Sequence, residues 1–221
     1  LARCVQASDL AVLEEQERHA KERYYALAGE ISNKRRQAAD DLGRAVTAIM
    51  EDLHMSGGRF SVDISRCQAH AYGMDQVEFM VAGHAGTGLR PLARVASGGE
   101  LARIALAISV IASRATATPT LIFDEVDSGV GGAVAEVVGR LLKRLGQEHQ
   151  VLCVTHLPQV ASQARQHFQV SKVAAAHVSH PVSRIALLDD AGRVDEIARM
   201  LGGVEMTDAT LNHAREMLRQ D

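Results

Sequence analysis

No proline occurs in the first 55 residues of this 221-residue chain, and the glycines there are Gly29 and Gly43. Eighteen of the 55 are charged, 8 basic and 10 acidic, against 33 of the remaining 166. A stretch so polar and so free of breakers points to one long helix. At about 1.5 Å per residue it is on the order of 80 Å long, which exceeds the width of any domain the rest of the chain can build. Tested against a heptad, one seam runs Leu10, Glu17, Tyr24, Ile31, Ala38, Ala45 and the other Leu13, Ala20, Leu27, Lys34, Asp41, Ala48. Nine of these twelve positions are apolar or Ala, as a supercoiled helix requires. Past Ile31 the apolar set slips to Leu42, Val46, Ile49 and Leu53, the mark of a stutter. The segment therefore reads as a coiled-coil arm over residues 1–55, entering a body at 56–221. An amphipathic helix lying on its own core would have to be shorter or bent.

Gly57-Gly58 is expected to end that helix. Phe60, Val62 and Ile64 then alternate with polar residues, as do Val77, Phe79 and Val81, which predicts two half-buried strands. A glycine-rich turn over Gly83 to Gly88 leads to Pro91, and helical spacing follows from Ser97 to Arg114. Thr120 to Phe123 and Val151 to Val154 read as short buried strands, separated by a helix over Val134 to Leu145. A helix from Pro158 to Ala164 comes next, then strands near Phe168–Val173 and Arg184–Leu188, and helices near Val194–Leu201 and Asp208–Arg219. Alternating strands and helices predict an α/β fold with a mostly parallel sheet covered on both faces.

Composition removes several classes of function. A net charge of −3 gives no global attraction for nucleic acid, and seven aromatics without tryptophan cannot make a base-stacking platform. The apolar runs fall far short of the roughly 20 residues a membrane span needs. Cys4, Cys67 and Cys153 form no C-x-x-C and read as reduced thiols of a cytoplasmic protein. The chain opens at Leu1, with neither Met nor a signal-peptide pattern, and reads as part of a longer protein.

Three motifs carry chemistry. In Leu121-Ile122-Phe123-Asp124-Glu125-Val126-Asp127 an apolar strand delivers adjacent carboxylates to its carboxyl end, where open α/β sheets bind ligands. Neighbours on a strand point opposite ways, so one can hold Mg²⁺ through its water shell while the other orients an attacking water. An acidic turn after a core strand is the bland alternative. In Ala96-Ser97-Gly98-Gly99-Glu100, a helix start with two glycines lets backbone N–H groups approach phosphate. The same residues make an S-x-x-E capping box, and the two readings are compatible. Thr155-His156 ends the second buried strand, about thirty residues after Glu125, and is the likeliest of the ten histidines to lie near the carboxylates. His177 and His180 have loose metal spacing without companions and read as surface residues.

In this order, SGGE, LIFDEVD and TH resemble the second half of an ABC-type ATPase head: signature motif, Walker B with its glutamate, and switch histidine. Asp127-Ser128-Gly129 falls at the family's D-loop. With an arm helix ahead of them, VASGGEL, LIFDEVDSGVGG, CVTHLPQVA and ARMLGG resemble the RecN family, in the SMC-like branch of those ATPases. The resemblance implies ATP and Mg²⁺ as ligands. Asp124 would hold the metal through water, Glu125 would polarise the attacking water, and His156 would contact the γ-phosphate. Ser97, Gly98 and Gly99, with Glu100 completing the motif, would bind nucleotide held by a second head, and Asp127 would cross that interface. No G-x-x-x-x-G-K-[ST] is present, and Gly-Lys never occurs, so the phosphate-cradling loop is expected in a separate N-terminal half of the head. The implied work is DNA double-strand-break repair by an ATP-dependent homodimer, nucleoid-associated and off the membrane. Lys34-Arg35-Arg36, the local basic run, reads as a solvated helix face. A transporter nucleotide-binding subunit does not account for the arm, and its signature usually carries Gln where Glu100 stands. A non-enzymatic coiled-coil dimerisation module leaves the three motifs unexplained.

Overall fold

The computed structural model describes residues 7–95, 97–113, 118–124, 126–127, 129–173, 182–202 and 206–219. His177 and His180 lie outside them, and so does Glu125. The described chain forms two compact units, residues 7–51 with 55–95, and residues 52–54 with 97–219.

The first unit is built on α1 (Ala7–Asp52) and the antiparallel strands β1 (Arg59–His70) and β2 (Gly73–Ala82), with β3 (Arg90–Pro91) added beside β2. The expected alternation pairs directly: Phe60 faces Val81, Val62 faces Phe79 and Ile64 faces Val77. The helix ends at Asp52, before the glycine pair, and His54 takes the left-handed conformation at φ 57°. Val46, Met50, Met55, Phe60 and Val81 are buried at the base of the hairpin.

From Tyr24 onward the arm helix lies along this hairpin. Tyr24 donates its hydroxyl to the carbonyls of His70 and Gly73, at 2.9 and 2.8 Å. Ser32 donates to both oxygens of Asp75, and Arg35 donates to Asp75 and to the Tyr72 carbonyl. Thr47 donates to the Phe60 carbonyl and accepts from its N–H. The geometry is matched in length. Tyr24 to Thr47 spans about 35 Å at the helical rise, and Phe60 to His70 about 34 Å at the strand rise. The buried and half-buried helix positions Tyr24, Ala28, Ser32, Arg35, Ala39, Gly43, Val46 and Met50 recur at the helical period. Much of the heptad seam points elsewhere, with Leu10, Leu13, Leu27 and Ile31 exposed. Residues 10–23 of the helix are exposed, while its carboxyl-terminal half rests on its own hairpin.

Hydrogen bonding from Ser32, reinforced by the Arg35 guanidinium, holds the Asp75 carboxyl below the usual carboxylate range. A carboxyl depressed by folding stabilises the fold above its unfolded pKa, and loses that contribution as pH falls through the folded value. Asp75→Asn is therefore expected to lower the melting temperature at neutral pH. Its deficit should shrink as acid protonates the wild-type carboxyl, and a deficit that persists undiminished in acid would refute the ionic role.

In the second unit, α2 (Gly98–Ser113) precedes the parallel pair β4 (Thr120–Asp124) and β5 (Gln150–Val154), joined through α3 (Gly132–Leu145). Ala135, Val138, Leu142 and Leu145 form the buried stripe of α3. The short helix α4 (Pro158–Ala161) leads to an antiparallel pair, β6 (Phe168–Val173) with β7 (Val182–Leu187). Helices α5 (Asp190–Gly202) and α6 (Asp208–Arg219) close on one another through Ile197, Ala198 and Ala214. Among the described residues the parallel ladder is β4–β5, and the other ladders are antiparallel. Its inner face carries Phe123, while Ile122, Leu152 and Val154 are exposed by 70, 44 and 61% on the other. One face of this parallel pair is thus covered, rather than the two expected.

Candidate nucleotide site

The three motifs meet in the second unit. Ser97 caps α2, its hydroxyl accepting the Glu100 N–H at 3.3 Å while its carbonyl accepts the Leu101 N–H. The serine cap is legible in the sequence, and Gly98 beside it is exposed. Gly99 meets the loop that follows β4: a methyl group at Gly99 would lie 3.3 Å from the Gly129 carbonyl oxygen. Gly129 itself sits at φ +71°, where a side chain is strained. Two glycines thereby bring the signature helix into backbone contact with the carboxylate loop. Neither motif by itself predicts that approach.

Asp124 ends β4, exposed and opposite Val154 in the register. Asp127 is different. It lies in the turn beyond the strand with its side chain 2% exposed, and its Oδ2 accepts the Thr155 hydroxyl at 2.5 Å and the His156 N–H at 3.1 Å. The His156 Nδ1 lies 3.3 Å from the same oxygen, while its ring is 74% exposed. The Thr155 hydroxyl in turn accepts the Leu157 N–H at 3.0 Å. Within this chain Asp127 therefore faces the switch turn. The expected crossing to a second head finds its side chain already engaged.

Cys153 lies between the two carboxylates electrostatically. Burial, with further pushes from Asp127 and Asp124, raises its thiol to about 11. At physiological pH it is a neutral thiol, the less reactive form. Among the described residues no three His, Cys, Asp or Glu side chains converge to hold a metal by themselves. A single exposed carboxylate at Asp124 does fit Mg²⁺, which keeps much of its water and takes further oxygens from phosphate. No described helix is long and apolar enough to cross a membrane.

No protein-family model matches the sequence. The chain is 41% identical over 205 residues to the DNA repair protein RecN of Xylella fastidiosa strain Temecula1, covering 91% of this chain and 36% of that protein. It is 43% identical over 209 residues to RecN of Haemophilus influenzae, covering 94% of this chain and 37% of the relative. The chain thus spans little more than a third of the length of these relatives. The Smc head domain of Pyrococcus yayanosii, solved with a coiled coil and joint, superposes with a TM-score of 0.61 at 20% identity, over 86% of this chain and 36% of that one. An SMC ATPase solved in a study of ATP-driven dimerisation gives 0.54 at 21% identity, over 79% of this chain and 99% of that one. Over about nine tenths of its own length the chain is similar to the DNA repair protein RecN, and its fold is that of an SMC head domain.

Proposed function

We propose that the chain supplies the signature-bearing side of an ATPase head in a RecN-like DNA-repair protein, in which ATP closes two heads and hydrolysis releases them. The observation that carries this is the convergence of the SGGE helix start, the β4 carboxylate loop and the Thr155-His156 turn in one unit, through Gly99–Gly129 and through Asp127.

The chemistry follows from where these groups stand. Asp124 would hold Mg²⁺ through water, and the bound ion offsets negative charge on the phosphate oxygens. Glu125, next along the chain, would take the proton of the attacking water. His156 presents an exposed ring just beyond β5 and would meet the γ-phosphate. Ser97, Gly98, Gly99 and Glu100 would complete the site of a second head from the positive end of α2. Charge stabilisation is then assembled only on closure, which ties hydrolysis to dimerisation.

The open apolar face at Ile122, Leu152 and Val154 supports an N-terminal half, carrying the Walker A loop, as its cover. Parallel strands rest on apolar packing on both sides. DNA, bound or tethered at the nucleoid, is the substrate on which head closure would act.

Purified alone, the 221-residue chain is expected to show no ATP turnover above a Glu125→Gln control. Adding a separately produced polypeptide with the Walker A half, with assembly verified by co-elution, should restore turnover. Turnover by the chain alone would mean that its own residues bind the β-phosphate, and the division of labour proposed here would be wrong.

A further inference from the structure

We propose that Asp127 is a positioning residue for His156, working within its own head; this rests on the reading that His156 meets the γ-phosphate. A carboxylate buried to 2% exposure is costly unless its oxygens are paired. The partners of Asp127 come from the turn after β5. Its Oδ2 receives the Thr155 hydroxyl and the His156 N–H, and it faces the His156 Nδ1 at 3.3 Å. Thr155 passes the arrangement on, since its oxygen accepts the Leu157 N–H. Two successive residues of the switch turn are therefore held on a single oxygen that belongs to the Walker B loop, and the third is tied to them through Thr155.

An ionised carboxylate only accepts, so its charge favours a hydrogen on the ring nitrogen beside it. Asp127 thereby favours the Nδ1–H form of the ring, with Nε2 at the far edge of a side chain that is 74% exposed. The nitrogen offered to nucleotide is then fixed before nucleotide arrives. In hydrolase triads, exchanging such a carboxylate for the amide keeps the geometry, yields the wrong tautomer and removes most of the turnover. The same exchange is the natural probe here. Asp127 also links the two strand ends, so a displacement of the Walker B loop moves the His156 ring with it.

The test is a double-mutant cycle in the full-length protein, with kcat and KM measured by steady-state ATP hydrolysis. His156→Gln should lower kcat by about 100-fold or more. Asp127→Asn should lower kcat by at least about tenfold while KM moves much less, because the loss is in the transition state. The double variant should be no slower than His156→Gln alone, since Asp127 acts through the ring. Factors that multiply would show that Asp127 acts independently, and would overturn the proposal. A wild-type kcat for Asp127→Asn beside an impaired His156→Gln would sink the positioning role and leave the site standing. An unimpaired His156→Gln would instead remove the role of His156 itself, and the proposal with it. Should Asp127→Asn not fold, Thr155→Val removes one of the two hydrogen-bond donors to Oδ2 and should show the same non-additivity with His156→Gln, with Thr155→Ser restoring turnover. Independent losses for Thr155→Val and His156→Gln would count against the proposal equally.

Discussion

Replacing Glu125 with Gln in the full-length protein should slow ATP hydrolysis by about 10²- to 10⁴-fold, the range a well-placed general base contributes. The amide keeps the size of the side chain and cannot take a proton from water. ATP affinity, read by nucleotide titration, should stay within severalfold of wild type, because Asp124 and the phosphate-cradling groups are untouched. Slow hydrolysis with intact binding has a further consequence. Heads that close on ATP then lack their exit, so ATP-bound dimers should accumulate and be resolved by size-exclusion chromatography. A loss of affinity as severe as the loss of turnover would instead give Glu125 a metal-holding or structural part.

Substitution of Ser97 by Arg is expected to abolish ATP-driven dimerisation and turnover while leaving ATP binding by a single head intact. Ser97 caps α2 through the Glu100 N–H, and loss of the cap by itself costs about 1 kcal/mol of stability. That small cost is the whole effect if the residue serves only its own helix, and dimerisation would then be normal. If the helix start meets nucleotide on a second head, a bulky cation at position 97 blocks the approach of the two surfaces. A mixing experiment separates the cases. The Ser97→Arg protein is combined with a variant that lacks its Walker A lysine, so each mixed dimer keeps one site with both elements intact. Partial recovery of hydrolysis supports action across the dimer. No recovery at any ratio, with mixed dimers shown to form, would exclude it.

Local rules made much of this legible. The Ser97 cap, the strand alternation through Phe60 and Val81, and the parallel strands near Thr120–Phe123 and Val151–Val154 each follow from spacing and residue type. What escaped was set by contacts distant in sequence. Arg35, read with Lys34 and Arg36 as a solvated basic face, reaches Asp75 and the Tyr72 carbonyl forty residues away, and no helical periodicity reports an ion pair of that kind. The contacts of Asp127 with Thr155 and His156 within the chain are a second case. Alternation of side chains along β4 cannot fix its direction, since β4 ends at Asp124 and a turn carries it inward. The second cover of the parallel sheet was expected from strand type alone.

The close match in length between the Tyr24–Thr47 stretch of α1 and the strand β1 gives the arm a mechanical character. Sliding the helix by one turn, about 5.4 Å, would pull Tyr24 off two carbonyls, strip Ser32 and Arg35 from Asp75 and part Thr47 from Phe60 together. Shear along the splint is therefore opposed at three points spread over its whole length, and a rupture at one point leaves the other two holding. Flexure meets no such resistance ahead of Tyr24, where the described helix residues lie exposed. A load on the arm would bend it at that point and arrive at the base of the hairpin as a push or pull along the axis, with register preserved.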